Sequence, residues 1–308
     1  MALNDNARGA LMMSVAMVGF AVNDALMKLA FEAVPLGQGL LVRGIVAAIL
    51  VALIAHRAGA LAFRPNRREA AALSLRMLGE IGGVLTFLTA LQRLPLAEAS
   101  AILQATPLAV TMAAALLLSE PVGWRRWSAI VVGFVGVLVM VRPGGEAFTW
   151  WTLLPVATVA CVTVRDLATR TMSRATPSLF AATTTAVGVT LAGMLVMPFD
   201  EPAPWTGTAF AACVGAGLAS VVGYILIVSA IRIGDVSTVA PFRYTVLLYA
   251  LILGYLVFGE VPDGATLLGA AIIVAAGLYT LWREQVLGRR RIAATAPTRP
   301  TADAEPDA

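Results

Sequence analysis

Ala21-Val22-Asn23-Asp24-Ala25-Leu26-Met27-Lys28, closed by Pro35, and Thr163-Val164-Arg165-Asp166-Leu167-Ala168-Thr169-Arg170, closed by Pro177, are two copies of one pattern. Asp24 falls on Asp166, Lys28 on Arg170 and Pro35 on Pro177, a constant shift of 142 residues without a gap. Each copy ends a long apolar run. A charge inside a bilayer is expensive, so an intramembrane carboxylate is a candidate functional group by default. Its recurrence at a fixed shift marks a chain built from two halves of one design.

The 308-residue chain is 59% hydrophobic and only 13% charged. Soluble domains are nearer about 25% charged. With a mean hydropathy of +0.84, the chain reads as an all-α polytopic membrane protein. Its apolar blocks are close to the roughly 20 residues that a helix needs to cross a bilayer. They are too continuous for the alternating strands of an outer-membrane barrel. Cys161 and Cys213 both lie in apolar runs and read as packing residues. The first run is interrupted by Asn23-Asp24 and lacks the small-residue cleavage site of a signal peptide.

Ten spans are predicted, at 10–30, 36–55, 72–92, 96–118, 124–141, 150–169, 178–198, 206–230, 236–258 and 264–282. With the N-terminus in the cytoplasm, cytoplasmic segments hold fifteen of the 22 basic residues, among them Arg57, Arg64, Arg67, Arg68, Arg125 and Arg126. The opposite side holds Arg93 and Arg142 beside acidic Asp200, Glu201, Glu260 and Asp263. The positive-inside rule therefore predicts a multi-pass protein of the inner (plasma) membrane with both termini cytoplasmic. This sorting of basic residues with loops also explains the net charge of +4 without nucleic acid as a partner. Trp124, Trp127, Trp150, Trp151, Trp205 and Trp282 fall at span ends, where indole anchors at the headgroup level.

The chain thus divides into a cytoplasmic N-terminus (1–9), a first five-helix repeat (10–141), a second (150–282) and a disordered cytoplasmic tail (283–308). A second alignment supports the repeat. Residues 90–120 lie on 230–260 at a shift of 140, which joins Gln104 to Tyr244 and Glu120 to Glu260. Five spans per half is odd, so the second half enters the bilayer from the other face. Ten transmembrane helices then form two inverted repeats, an arrangement suited to transport through a site between them. Small-residue stripes (Ala211, Gly215, Ala219 and Gly223 in span 8; Gly133 and Gly136 in span 5; Ala265 and Gly269 in span 10) predict close helix packing.

Leu117-Leu118-Ser119-Glu120-Pro121, followed by Gly133 and Gly136, resembles the end of an EamA domain. So does its counterpart Phe258-Gly259-Glu260-Val261-Pro262, followed by Gly269 and Gly277. Two such five-span units resemble the ten-span branch of the drug/metabolite transporter superfamily, over roughly 10–282. The resemblance implies a secondary carrier with a central cavity, alternating access and no ATP site. It also implies that Glu120 and Glu260 are the family's boundary carboxylates. They and Asp166 are expected at helix ends or gates.

Candidate substrate-binding residues follow from depth and type. Asp24 and Glu80 lie more than a helical turn from any interface, and a carboxylate snorkels less far than Arg or Lys. Asp24 and Lys28 are spaced i, i+4 and are expected to pair, with Asn23 and Arg43 nearby; a structural ion-pair network is the competing reading. Arg76 and Arg165 are expected to reach the cytoplasmic interface. Gln104, Arg243 and Tyr244, beside Pro107 and Pro241, offer polar and aromatic contacts for an organic ligand, with Phe20, Phe87 and Phe242 as candidate walls. Protons are the candidate coupling ion, through a buried carboxylate. No cofactor and no metal is expected: His56 is the only histidine.

Three functions compete. The first is a secondary transporter of a small organic metabolite, a vitamin such as riboflavin or an amino-acid-like solute. The second is an exporter of drugs or toxic amino acids with the same fold. The third, an intramembrane enzyme, lacks a catalytic constellation in the sequence, so the chain is read as a non-enzyme.

Overall fold

Asn4 accepts the Ala7 N–H through its side chain and starts the first helix, Asp5–Ala30. An N-cap of this kind satisfies one of the amide donors a helix start leaves free. It also places the helix start inside the segment 1–9, expected to be the cytoplasmic N-terminus. Asn66 and Glu69 form a capping box that starts the third helix, Arg67–Leu91, well before the expected residue 72. The computed structural model describes residues 4–145, 148–173 and 175–295. Among these, ten helical segments are long and apolar enough to cross a membrane. They are Asp5–Ala30, Leu36–Arg57, Arg67–Leu91, Leu96–Leu117, Trp124–Val141, Trp150–Thr171, Ser178–Phe199, Gly207–Ile233, Ala240–Phe258 and Gly264–Arg283, here spans 1 to 10. The last helix continues to Thr295, into the segment expected to be a disordered tail. Its continuation is rich in Arg, Leu, Ala, Glu and Gln, good helix formers. Residues 296–308 of that tail lie outside the described residues.

The two halves pack as the repeat demands. Span 1 lies on span 8 and span 3 on span 6, the same contact with the halves exchanged. Spans 2 and 7, 5 and 10, and 4 and 9 pair with their own counterparts. One buried cluster joins both halves through Met27, Leu40, Phe87, Leu91, Leu96, Ala216 and Ala250. Large side chains such as Ile49, Leu78, Leu195 and Leu256 face outward instead, as lipid-facing helix surfaces require. With an even number of spans, both ends of the bundle emerge on one face, called here the terminal face; the other is the far face.

Close approach depends on glycine. The span 8 stripe packs on span 1: a Cβ at Gly19 would stand 3.1 Å from the Ala219 carbonyl oxygen and 3.3 Å from Gly223 Cα. On the opposite flank, a Cβ at Gly79 would stand 2.7 Å from both the Arg165 nitrogen and the Cys161 carbonyl oxygen. Those neighbours are backbone, so span 6 would have to move away from span 3. Gly79→Val is therefore expected to lower stability by roughly 1–3 kcal/mol, the usual cost of overpacking. Gly207→Ala, at the first helical position of span 8, meets nothing within 4 Å and should be neutral. Thermal unfolding of the two variants in detergent checks the contrast.

Candidate functional site

The tight contact at Gly79 sets the register in which spans 3 and 6 meet. Along the seam, Thr86 and Thr158 hydroxyls lie 2.8 Å apart and Arg76 Nη1 donates to Thr169 Oγ1 at 2.7 Å. Between them, Arg165 Nη1 donates to Glu80 Oε2 at 3.0 Å and Arg165 Nε to Asp166 Oδ1 at 2.8 Å. Arg165 thus stays within the bundle instead of reaching the interface as expected. Two carboxylates hold it there, since water at the interface offers less than two charge-assisted bonds. Arg243 lies within electrostatic reach of Asp166 and Arg165. It makes no hydrogen bond or ion pair among the described residues and is solvent-accessible.

A second polar cluster sits on spans 1 and 2, nearer the far face. Arg43 Nε donates to Asn23 Oδ1 at 2.7 Å, and Asn23 Nδ2 donates to Asp24 Oδ1 at 2.8 Å. Asn23 is buried. Arg43 also lies within electrostatic reach of both Asp24 and Glu80, so it links the two clusters. The expected Asp24–Lys28 pair does not form. Lys28 Nζ instead meets Glu260 Oε1 at 2.6 Å, also donates to the Leu94 carbonyl, and stands 5.3 Å from the Phe258 ring centroid. An acidic partner, a free carbonyl and an aromatic face together outbid one carboxylate a turn away.

Glu120 and Glu260 are delivered by the same local turn. Ser119 and Gly259 both adopt left-handed backbone, at φ of 54° and 65°. The Glu120 N–H then reaches the Ala114 carbonyl at 3.3 Å, and the Glu260 N–H the Gly254 carbonyl at 3.0 Å. These are the six-to-one bonds of a helix-ending Schellman turn. Each carboxylate is thereby aimed back at the other half. Glu260 meets Lys28, and its Oε2 accepts the Leu96 N–H at 2.7 Å; Glu120 meets Arg170 Nη1 at 3.0 and 3.2 Å. Asp166, expected at a helix end or gate, lies near the end of the helix Leu153–Thr171 and accepts from Arg165 Nε.

Spans 4 and 9 are both broken at the matching position. Span 4 consists of Leu96–Leu103 and Thr106–Leu117, separated by Gln104 and Ala105. Span 9 begins with a 3-10 turn, Ala240–Tyr244, before Thr245–Phe258. Pro107 and Pro241 lack the N–H that would continue the ladder. At span 4 the Thr106 hydroxyl takes up the freed Leu103 carbonyl at 2.6 Å. Breaks of this kind inside a membrane are tolerated where the backbone is buried in protein or lines a cavity. Gln104 is partly buried at the break. Tyr244 is buried, and a Cβ at Gly277 would stand 1.8 Å from its hydroxyl; only glycine in span 10 leaves room for the phenol. Among the candidate aromatic walls, Phe87 is in the core and Phe20 packs on Gly223, while Phe242 is exposed.

A cleft of about 230 Å³ opens at the far face, lined by Pro95, Glu98, Arg142, Asp263 and Thr266 among others. It lies away from the two intramembrane clusters. Asp263 accepts from Arg142 and from the Thr266 N–H. The Arg142 bond first, then Thr266, hold its carboxyl well below the usual carboxylate range. The stabilisation is present above the usual carboxylate pKa and is lost only as pH falls through the depressed value. The pair is largely exposed, so its contribution is small.

A ten-helix bundle with paired repeats, broken helices and charge at bilayer depth defines the class of membrane carriers. The EamA-like transporter family model matches residues 7–142 and 149–282, and the chain belongs to that family. It is 31% identical over 220 residues to a riboflavin transporter of Vibrio cholerae serotype O1, covering 70% of this chain and 74% of that one. It is 28% identical over 197 residues to an S-adenosylmethionine uptake transporter of Rickettsia prowazekii, covering 62% and 65%. A pseudopaline exporter of Pseudomonas aeruginosa is 26% identical over 276 residues, covering 87% and 94%. A solved crystal structure shares the fold at a TM-score of 0.61 and 19% identity, over 92% of this chain and 99% of that one. The protein is a multi-pass inner-membrane transporter of a small molecule, not an enzyme.

Sequence reasoning found both acid-base motifs but not their partners. The available signal was the pair of shifts: exchanging the halves turns Lys28–Glu260 into Arg170–Glu120. The Glu80–Arg165 bond carries a prediction. Removing one member strands the other in a partly buried site, so Arg165→Gln should destabilise by roughly 3 kcal/mol, the low end for a buried pair. The double variant Glu80→Gln/Arg165→Gln should recover part of that loss, since Asp166 still lacks its guanidinium partner. Denaturation midpoints of the two single variants and the double variant measure the coupling.

Proposed function

We propose that the chain is a secondary carrier that takes up a small organic metabolite by alternating access, with both termini in the cytoplasm. The terminal face is then cytoplasmic and the far face external. The observation that carries the proposal is the belt of unlike charges at bilayer depth, contributed by both halves. Asp24, Arg43 and Glu80 come from the first half and Arg165, Asp166 and Arg243 from the second, beside the breaks at Gln104 and Tyr244. Most of these charges already have protein partners. Arg243 and Asp24 are the least committed: Arg243 has no ion pair among the described residues, and Asp24 has only the Asn23 amide as a hydrogen-bond partner. Arg243 suits an anionic or acceptor-rich group of a substrate, and Asp24 a cationic or donor group.

A vitamin such as riboflavin, or an amino-acid-like solute, offers groups of both kinds. The uptake proteins among the relatives support this direction and size class. Lys28, although expected in the site, is engaged with Glu260, and its role is assigned to closure. Asp24 is the carboxylate proposed to carry a coupling proton, because no cation neutralises it by direct contact among the described residues. Export of a metabolite of the same size is the second reading, and the pseudopaline exporter's alignment over 87% of this chain favours it.

Uptake into proteoliposomes, with riboflavin and amino-acid mixtures as probes and an inward proton gradient, tests the proposal. Arg243→Ala is expected to raise the apparent KM about tenfold or more, the scale of one lost charge-assisted bond. Asp24→Asn is expected to abolish gradient-driven accumulation while leaving exchange. Normal uptake by both variants would remove these residues from the site. Accumulation only under an outward orientation of the carrier would select export.

A further inference from the structure

The two ion pairs at the ends of the bundle are one device used twice. Lys28 corresponds to Arg170 at the 142-residue shift, and Glu260 to Glu120 at the 140-residue shift. Each pair joins opposite halves: Lys28 of the first half meets Glu260 of the second, and Arg170 of the second meets Glu120 of the first. The pairs lie at opposite faces. Span 1 ends at Ala30 on the far face, and span 6 ends at Thr171 on the terminal face. The same left-handed turn delivers both glutamates. We propose that these pairs are the two gates of the carrier, one for each face, and that opening of a face requires its pair to break.

The pairs differ in depth. At the far face the two side chains are only 15% and 16% exposed, and at the terminal face 45% and 48%. The far-face pair is also tied to span 4. Glu260 accepts the Leu96 N–H at the start of that span, a favourable site for a carboxylate at a helix N-terminus, and Lys28 donates to the Leu94 carbonyl. Opening that face therefore strips a partly buried charge pair of several partners at once. Opening the terminal face breaks one exposed pair that water readily replaces. The structure assigns the firmer gate to the far face. The bias between the two open states is then set by the difference between two equivalent contacts, so neutralising either should shift it in an opposite sense.

The gates rest on the alternating-access reading, but their test needs no substrate. Gln104→Cys, at the break in span 4, serves as a reporter for an impermeant maleimide applied from either face of oriented membranes. The same membranes with Gln104 intact correct for Cys161 and Cys213. Glu260→Gln is expected to raise far-face labelling about tenfold, the scale of a disrupted partly buried pair, and to lower labelling from the terminal face. Glu120→Gln is expected to shift both rates the other way, by a smaller factor. The swap Lys28→Glu/Glu260→Lys should bring labelling back toward the parent. Shifts of the same sign, or none, overturn the proposal. If a far-face variant does not survive purification, the exposed Glu120→Gln arm decides alone: a gain at the terminal face supports the gates and its absence overturns them. Opposed shifts in a protein that fails the uptake assay would leave the gates standing and reject the substrate assignment. Normal uptake without opposed shifts would reject the gates alone.

Discussion

Charge inside a bilayer must find its counter-charge or hydrogen bonds within the protein, because lipid offers none. That constraint organises this molecule. Arg165 is held between Glu80 and Asp166, Arg43 reaches Asp24 through Asn23, and Lys28 crosses to Glu260. Two of these contacts, Arg165–Glu80 and Lys28–Glu260, join helices distant in sequence, so the charges serve as attachment points as well as a candidate path. Two glycine seams set how closely the helices approach. Gly79 lets span 3 approach the span 6 backbone, and the span 8 stripe lets it approach span 1.

The inverted repeat gives each feature an image and makes the departures informative. The broken spans 4 and 9, the turns at Ser119 and Gly259, and the end pairs are all matched. The clusters are not: Asn23 corresponds to Arg165, and so the first half places a neutral amide where the second places a guanidinium. The guanidinium recruits Glu80 and Asp166. The amide leaves Asp24 without a cation in direct contact. A symmetric scaffold thus carries asymmetric charge clusters, which would let one substrate meet unlike groups from the two halves.

The fold was legible because its signals are local and cumulative. Apolar length set the ten spans within a few residues, and the shifts of 142 and 140 revealed the halves. The helix starts at Asp5 and Arg67 were missed because caps such as Asn4 and the Asn66–Glu69 box lie in polar sequence outside the hydropathy signal. The site was legible as a set of residue types and depths, but its pairings were not. Asp24 and Lys28 are neighbours at i, i+4, yet Lys28 pairs with a residue 232 positions away. Spacing along one helix cannot register a competitor brought up by a turn in the other half. Arg165 posed the same difficulty, because its length permits either snorkelling or inward pairing and only the position of Glu80 decides.

The central claim is that substrate binds between the halves, among the charges of spans 1, 2, 3, 6 and 9. A substrate-bound structure of the carrier in lipid nanodiscs tests it most directly. The account predicts ligand density between the Asn23–Asp24–Arg43 cluster and Arg243, in contact with residues of both repeats. Ligand seated instead in the far-face cleft beside Glu98, Arg142 and Asp263, with the intramembrane clusters untouched, would contradict it.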